Sequence, residues 1–171
     1  MVNGESGDVT LPMVVYDEPG TEVYVPSGVM GSTDSVVSEA RCGNDPKFGK
    51  TCHRFVYQSP IEWAGVVWQH PANDWGDLPG GFDLSGAKKL NFWAKGKSGG
   101  EQIKFGFGLL GDDKKFPDSG KGEIAVTLTT DWKQYSIDCD VELNQIKSGF
   151  YWTLAGQGKP VEFFLDRIAY E

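Results

Sequence analysis

Six tryptophans, Trp63, Trp68, Trp75, Trp93, Trp132 and Trp152, are the residues of this chain whose type points most directly to an interaction chemistry. An indole offers a wide apolar plane with one polar edge. Pyranose rings stack their C–H faces on such planes, and their hydroxyls need amides, carboxylates or imidazoles to orient them. The stretch from Trp63 to Gly76 concentrates these types, placing Trp63, Trp68 and Trp75 beside Gln69, His70 and Asn73. Trp75 stands in an Asn-Asp-Trp-Gly-Asp turn, where no periodicity asks for a buried ring and where functional residues often sit. Trp63 and Trp68 fit either a packed strand or an exposed face. Asn91 and Lys95, on the strand face of Trp93, argue for its exposure; Phe150 and Leu154, on the face of Trp152, argue for burial. Trp132, following Asp131, reads as a structural ring. Lys104 shares a face with Gly106 and Gly108, a shallow surface against which something could lie. The expected ligand-contacting set is therefore Trp75, Trp68, Gln69, His70, Asn73, Trp93, Trp63 and Lys104.

Catalytic constellations are missing. The two histidines, His53 and His70, occupy no HExxH, zinc or triad spacing, and there is no GxSxG elbow or phosphate-binding loop. Gly106-Phe107-Gly108 lies inside a strand-like run. Glycoside hydrolysis needs only two facing carboxylates, which a β-sandwich could supply from separate strands. The ExDxxE strand signature is nevertheless absent, and the acids fall mostly in turns. Tyr57, His70, Arg54 and Lys104 are the parts a lyase would use, with no motif uniting them. The residues favour binding over catalysis, with a jelly-roll lyase or hydrolase and a protein-interaction module as the alternatives.

Calcium takes six to eight oxygen ligands from carboxylates, amides and backbone. The loop with Asn44, Asp45 and Thr51, together with Asp17 and Asp166, is a plausible source, although an ion pair would equally explain Asp166. Cys42 and Cys52 bracket a short Gly/Asn/Asp/Pro loop, a spacing that suits a local disulfide and an oxidising compartment. Zinc is the weaker reading, since His53 is the only nearby third ligand. Cys139 reads as a buried free thiol.

The elements that must position these residues are short. With 23 Gly, 9 Pro and 13% aromatics among 171 residues, the chain is rich in both turn-formers and strand-formers, which suits one all-β domain. Strand-like runs recur at 13–16, 22–25, 35–38, 51–57, 62–69, 90–95, 102–109, 123–129, 132–137, 149–155 and 161–170. They are separated by turn clusters such as Asp17-Glu18-Pro19-Gly20 and Lys97-Ser98-Gly99-Gly100. Residues 138–146 suggest a short helical turn. Residues 1–12 read as a polar tail or linker and 13–171 as a β-sandwich of two antiparallel sheets. A formal charge of −8 argues against a nucleic-acid partner. No apolar run is long enough for a membrane helix, and the N-terminus lacks the pattern of a signal peptide.

Three segments carry a family resemblance: Phe82 to Gly96, Leu128 to Ile137, and Val161 to Ile168. In this order they resemble the middle and final strands of the β-jelly-roll carbohydrate-binding modules of the galactose-binding-like group, which are appended to bacterial glycan-degrading enzymes. The resemblance implies a jelly roll without an active site. It implies glycan bound along the concave sheet or in its edge loops, and a structural calcium at Asp166, Asp17 and the Asn44–Thr51 loop. It also implies a secreted, cell-surface or periplasmic location within a larger chain. The Cys42–Cys52 bracket and the Trp-rich 63–75 segment depart from the family pattern. Together the residues and the resemblance lead to the expectation of a neutral, β-linked polysaccharide as ligand.

Overall fold

The computed structural model describes residues 7–20 and 23–171. Side chains two apart on a strand share a face, so alternating apolar residues build two sheets that bury one face each against the other. The strands are β1 (Gly7–Asp8), β2 (Met13–Tyr16), β3 (Val25–Gly31), β4 (Val36–Cys42), β5 (Cys52–Tyr57), β6 (Trp63–Gln69), β7 (Phe82–Asp83), β8 (Lys89–Gly96), β9 (Gln102–Phe107), β10 (Gly122–Thr127), β11 (Lys133–Asp138), β12 (Ser148–Ala155) and β13 (Val161–Tyr170). One antiparallel sheet has the order β10-β9-β12-β6-β3. The other runs β11-β8-β13-β5-β4, with β2 also paired to β13. This is the two-sheet sandwich expected from the alternation.

The core lies between the sheets. Ile103, Phe105 and Phe107 of β9, Phe150, Trp152 and Leu154 of β12, and Ala64, Val66 and Trp68 of β6 face Leu90, Phe92 and Ala94 of β8 and Phe163 and Leu165 of β13. Aromatic edges meet aromatic faces throughout. Phe55 lies 5.2 Å from Trp152 and 5.8 Å from Trp68, and Trp152 meets Phe163 at 5.1 Å, nearly perpendicular. Such contacts stiffen the inner side of the five-stranded sheet, so its outer face is a fixed surface.

Four local expectations are corrected. The run at 22–25, whose Glu22 lies outside the described residues, gives way to β3, a longer strand through Pro26, Gly28 and Gly31. These read as turn residues, yet β3 is an edge strand, where proline and glycine are tolerated. Residues 138–146 hold no helix; Ile146 instead bridges to Phe82. Part of the expected tail belongs to the folded body, since β1 pairs in parallel with β7 and Val9 and Leu11 pack on the core. Finally, Cys42 and Cys52 are free, buried thiols and form no disulfide. They face each other where β4 pairs with β5, and Cys52 Sγ donates to the Cys42 carbonyl at 3.6 Å. Strand pairing brings the loop's ends together. Cys139 is a free, buried thiol, as expected.

Candidate functional site

Residues directly opposite one another in an antiparallel sheet share a face, so the register maps the outer side of the five-stranded sheet as rows. One row runs Gly28, Val67, Tyr151, Gly106, Glu123, and the next Met30, Gly65, Thr153, Lys104, Ala125. At the end of the sheet, Trp63 lies opposite Ala155, and Gln102 opposite Thr127. Here Trp63, Gln102, Lys104, Thr127, Thr153 and Gln157 line a hollow of 440 Å³. Trp63 is 52% exposed, which places a large apolar side chain, partly in water, at the hollow's edge.

Glycines let side chains lie flat on this face. A Cβ on Gly106 would collide with the Tyr151 ring, and one on Gly28 would come within 2.9 Å of the Gln69 amide and 3.0 Å of the Trp75 ring. The missing side chains thus make room for an aromatic at the middle of the sheet and another at its far end. Tyr151 donates to Glu123 at 2.5 Å, and Lys104 lies 4.0 Å from the same carboxylate. Burial, followed by the bond to Glu123, raises the Tyr151 phenol above its ordinary range, so it remains a hydroxyl. The face therefore offers donors and acceptors side by side.

Trp75 is held by a network buried beneath it. Gln69 Nε2 donates to the Asp74 carbonyl at 2.9 Å, while Gln69 Oε1 accepts from Ser27 Oγ at 2.7 Å. The Asp74 carboxylate accepts from the amides of Gly76, Asp77 and Leu78 at 3.2, 3.0 and 2.9 Å, closing the turn around Trp75. It is also ion-paired to Lys147, whose side chain is 1% exposed and which donates to the Leu78 carbonyl at 2.5 Å. Burial pushes the Asp74 carboxyl up, but Lys147 and the loop amides outweigh it and the net shift is downward. Asp118 secures Lys147 in turn, accepting from the amides of Lys147 and Ser148 at 2.5 and 3.0 Å. Burial raises the Asp118 carboxyl in spite of these bonds.

The structure brings Trp63, Trp75, Gln69 and Lys104 to this one face, with Asn73 exposed in the adjoining loop at φ 61°. Three expected members lie elsewhere. Trp68 is fully buried in the core. An odd separation from Trp63 on the same strand turns it inward. His70 accepts the Gly81 amide on Nδ1 at 3.0 Å and packs on Phe82 at 4.5 Å; burial, then nearby Lys147, lowers its pKa. Its ring braces the loop. Trp93 belongs to β8 in the other sheet, covered by Phe48 at 5.6 Å and by the Lys47 ammonium at 4.7 Å. Tyr151, Glu123, Thr153, Gln102, Gln157 and Lys147 were not foreseen. For Tyr151 and Thr153 a signal exists, since they alternate with the buried Phe150, Trp152 and Leu154.

The oxygens expected to hold calcium do not fit that role. Asp166 Oδ2 accepts from the Lys47 and Phe48 amides, both at 2.9 Å, and Oδ1 from the Arg167 amide at 2.9 Å. Asp45 pairs with Lys95 at 2.6 Å, the Thr51 hydroxyl donates to Glu18 at 2.7 Å, and Asp17 lies 3.9 Å from Arg167. Asp166 is thus surrounded by N–H donors where a cation needs lone pairs, and no three His, Cys, Asp or Glu side chains converge on a metal position among the described residues. The loop with Asn44 docks through these amides.

Residues 12–171 match the family model described as Carbohydrate binding domain 30. Among solved structures, the family 30 carbohydrate-binding module of a cellulosomal cellulase of Clostridium thermocellum is 16% identical, with 95% of this chain and 98% of that one covered at TM-score 0.68. A family 11 module from the same organism, in complex with a β-1,3-1,4-mixed-linked tetrasaccharide, is 15% identical over 92% and 93% of the two chains at TM-score 0.61. TmCBM61, in complex with β-1,4-galactotriose, is 17% identical over 93% and 98% at TM-score 0.55. No curated protein sequence matches the chain.

Proposed function

Because the chain belongs to carbohydrate-binding family 30, a family of non-catalytic carbohydrate-binding modules, we propose that the outer face of its five-stranded sheet takes an internal stretch of a neutral, β-linked glucan. Trp63 and Trp75 stack on sugar rings at the two ends of the face. Between them Tyr151, Glu123, Lys104, Thr153, Gln102 and Gln157 exchange hydrogen bonds with hydroxyls. From Trp63 to Gln69, β6 spans roughly 20 Å, so the face accommodates several consecutive rings. The observation that carries the reading is the half-exposed Trp63 plane at the edge of a hollow that Gln102, Lys104, Thr127, Thr153 and Gln157 help to line. Supporting it are the β-linked oligosaccharides held by the family 11 module and by TmCBM61. In this reading the module is secreted and works within a larger glycan-degrading enzyme, tethering it to its substrate.

Affinity electrophoresis against mixed-linkage β-glucan, hydroxyethylcellulose, galactan and an acidic pectin tests the proposal. Wild type is retarded by the neutral β-glucans and not by pectin, and Trp63→Ala or Trp75→Ala reduces the retardation with little change in melting temperature. Retardation by pectin alone, or full retardation of both variants, overturns the reading.

A further inference from the structure

The two aromatic rings of the groove are joined by a strand. On β3 the positions that share the outer face are Gly28 and Met30, opposite Val67 and Gly65 of β6. A Cβ on Gly28 would come within 3.0 Å of Trp75 Cη2, and one on Gly31 within 3.0 Å of Trp63 Cδ2. The two indoles therefore overhang β3 three residues apart, roughly 10 Å at the rise of a strand, and Met30 lies between them. Its half-buried side chain reaches across the sheet. A Cβ on Gly65 would meet Met30 Cε at 2.8 Å and Thr153 Cγ2 at 2.9 Å, so two methyl groups flank the Gly65 backbone. A glycan that touches both rings passes over this apolar saddle.

A thioether in that place is also a reactive group. Peroxides oxidise methionine sulfur to the sulfoxide, which turns a flexible apolar side chain into a polar one. Among the described residues the other methionine, Met13, is 5% exposed in the core. The thiols are shielded as well. Cys42, Cys52 and Cys139 are buried, and burial pushes the Cys52 and Cys139 thiols up to about 12 and about 11, away from the reactive thiolate. Met30 is thus the sulfur that an oxidant in water reaches. An S=O oxygen formed there projects among methyl groups. Sugar rings stacked along the two indoles present C–H faces at this point, which strip water from that oxygen and supply no donor.

We propose that Met30 is an oxidation site through which hydrogen peroxide weakens the module's hold on glycan. The O–O bond of the peroxide breaks, one oxygen is transferred to the sulfur, which gives up two electrons, and the other oxygen leaves as water. A methionine sulfoxide reductase reverses the step with electrons from a thiol. The inference rests on the groove reading given above.

The test is calorimetric titration of a mixed-linked β-glucan tetrasaccharide before and after treatment with dilute hydrogen peroxide, with peptide mass spectrometry to locate the added oxygen. Treated wild type carries the oxygen on Met30, keeps its tryptophan fluorescence and melting temperature, and binds about tenfold more weakly. Incubation with sulfoxide reductases for both epimers and dithiothreitol restores its affinity. Met30→Leu, which keeps an apolar side chain, has the same affinity before and after treatment. Undiminished binding by wild type oxidised at Met30, an unmodified Met30 after treatment, or an equal loss in Met30→Leu refutes the oxidation site and leaves the groove reading standing. Untreated wild type that binds no glucan overturns the groove reading, and the proposed effect of oxidation with it.

Discussion

Trp63 and Trp68 lie on the same strand and have opposite surroundings. Because successive side chains of β6 point to opposite faces, the odd separation places one indole in the groove and the other in the core. Trp68 meets Phe55, His53 and Phe150 at ring distances of 5.2 to 5.8 Å. Trp68→Ala therefore lowers unfolding stability by about 3 to 5 kcal/mol in urea denaturation, the usual cost of emptying a core position of this size. Trp63→Ala changes stability by no more than about 0.5 kcal/mol, as for other exposed substitutions. Equal losses for the two variants would contradict the opposed facing. Tyr151 follows the same alternation. What lets the ring of this residue, which is 6% exposed, lie against the sheet is a cross-strand glycine at 106, which a reading along one strand does not reveal.

At the scale of elements, the turn carrying Trp75 takes its shape from outside itself. Asp74 ties its amides together, and Lys147, from the segment just before β12, neutralises the buried carboxylate. Lys147→Met leaves that charge unpaired and destabilises the fold by about 3 to 5 kcal/mol. It also removes the share of glycan affinity due to Trp75 and preserves that due to Trp63. Adding Asp74→Asn restores part of the stability. Measuring both variants by thermal melts and glycan titration checks the linkage, which a single variant with native stability would refute. The strands were legible in the chain wherever one face is apolar throughout, as in Leu90-Phe92-Ala94 and Ile103-Phe105-Phe107. β3 was not, because an edge strand tolerates the same Pro and Gly that mark turns. Trp75 stood out by its turn, but its support by Lys147 depends on tertiary contact. Cys42 and Cys52 were correctly placed as neighbours across a loop, yet proximity did not specify a covalent bond. Asp166 did need partners, and backbone amides of a distant loop supply them.

The whole molecule is a sandwich with one wettable aromatic face and a core that includes an imidazole. His53 is buried between Tyr16, Phe55 and Trp68, with Nε2 bonded to Ser38 at 2.7 Å, and burial lowers its pKa from 6.5 to about 3. The folded state thus binds fewer protons than the unfolded chain between those values. The stability contributed by the neutral ring is complete above pH 6.5 and is lost as pH falls towards 3, at up to about 1.4 kcal/mol per pH unit. His53→Gln flattens this part of the stability profile in urea melts from pH 7 to 4; a variant with the wild-type slope would show that the ring is not held neutral. The formal charge of −8 complements the neutral-ligand reading, since an acidic polymer meets general repulsion.

The proposed binding of β-glucan by the five-stranded face rests on two rings, the half-exposed Trp63 and the partly buried Trp75. It is tested most directly by titrating a mixed-linked β-glucan tetrasaccharide into wild type and a Trp63→Ala/Trp75→Ala double variant that retains its melting temperature. Wild type binds saturably and the variant loses at least about tenfold in affinity, from stacking contributions of about 1 to 3 kcal/mol per ring, by analogy with base stacking. A folded double variant with undiminished affinity would contradict it.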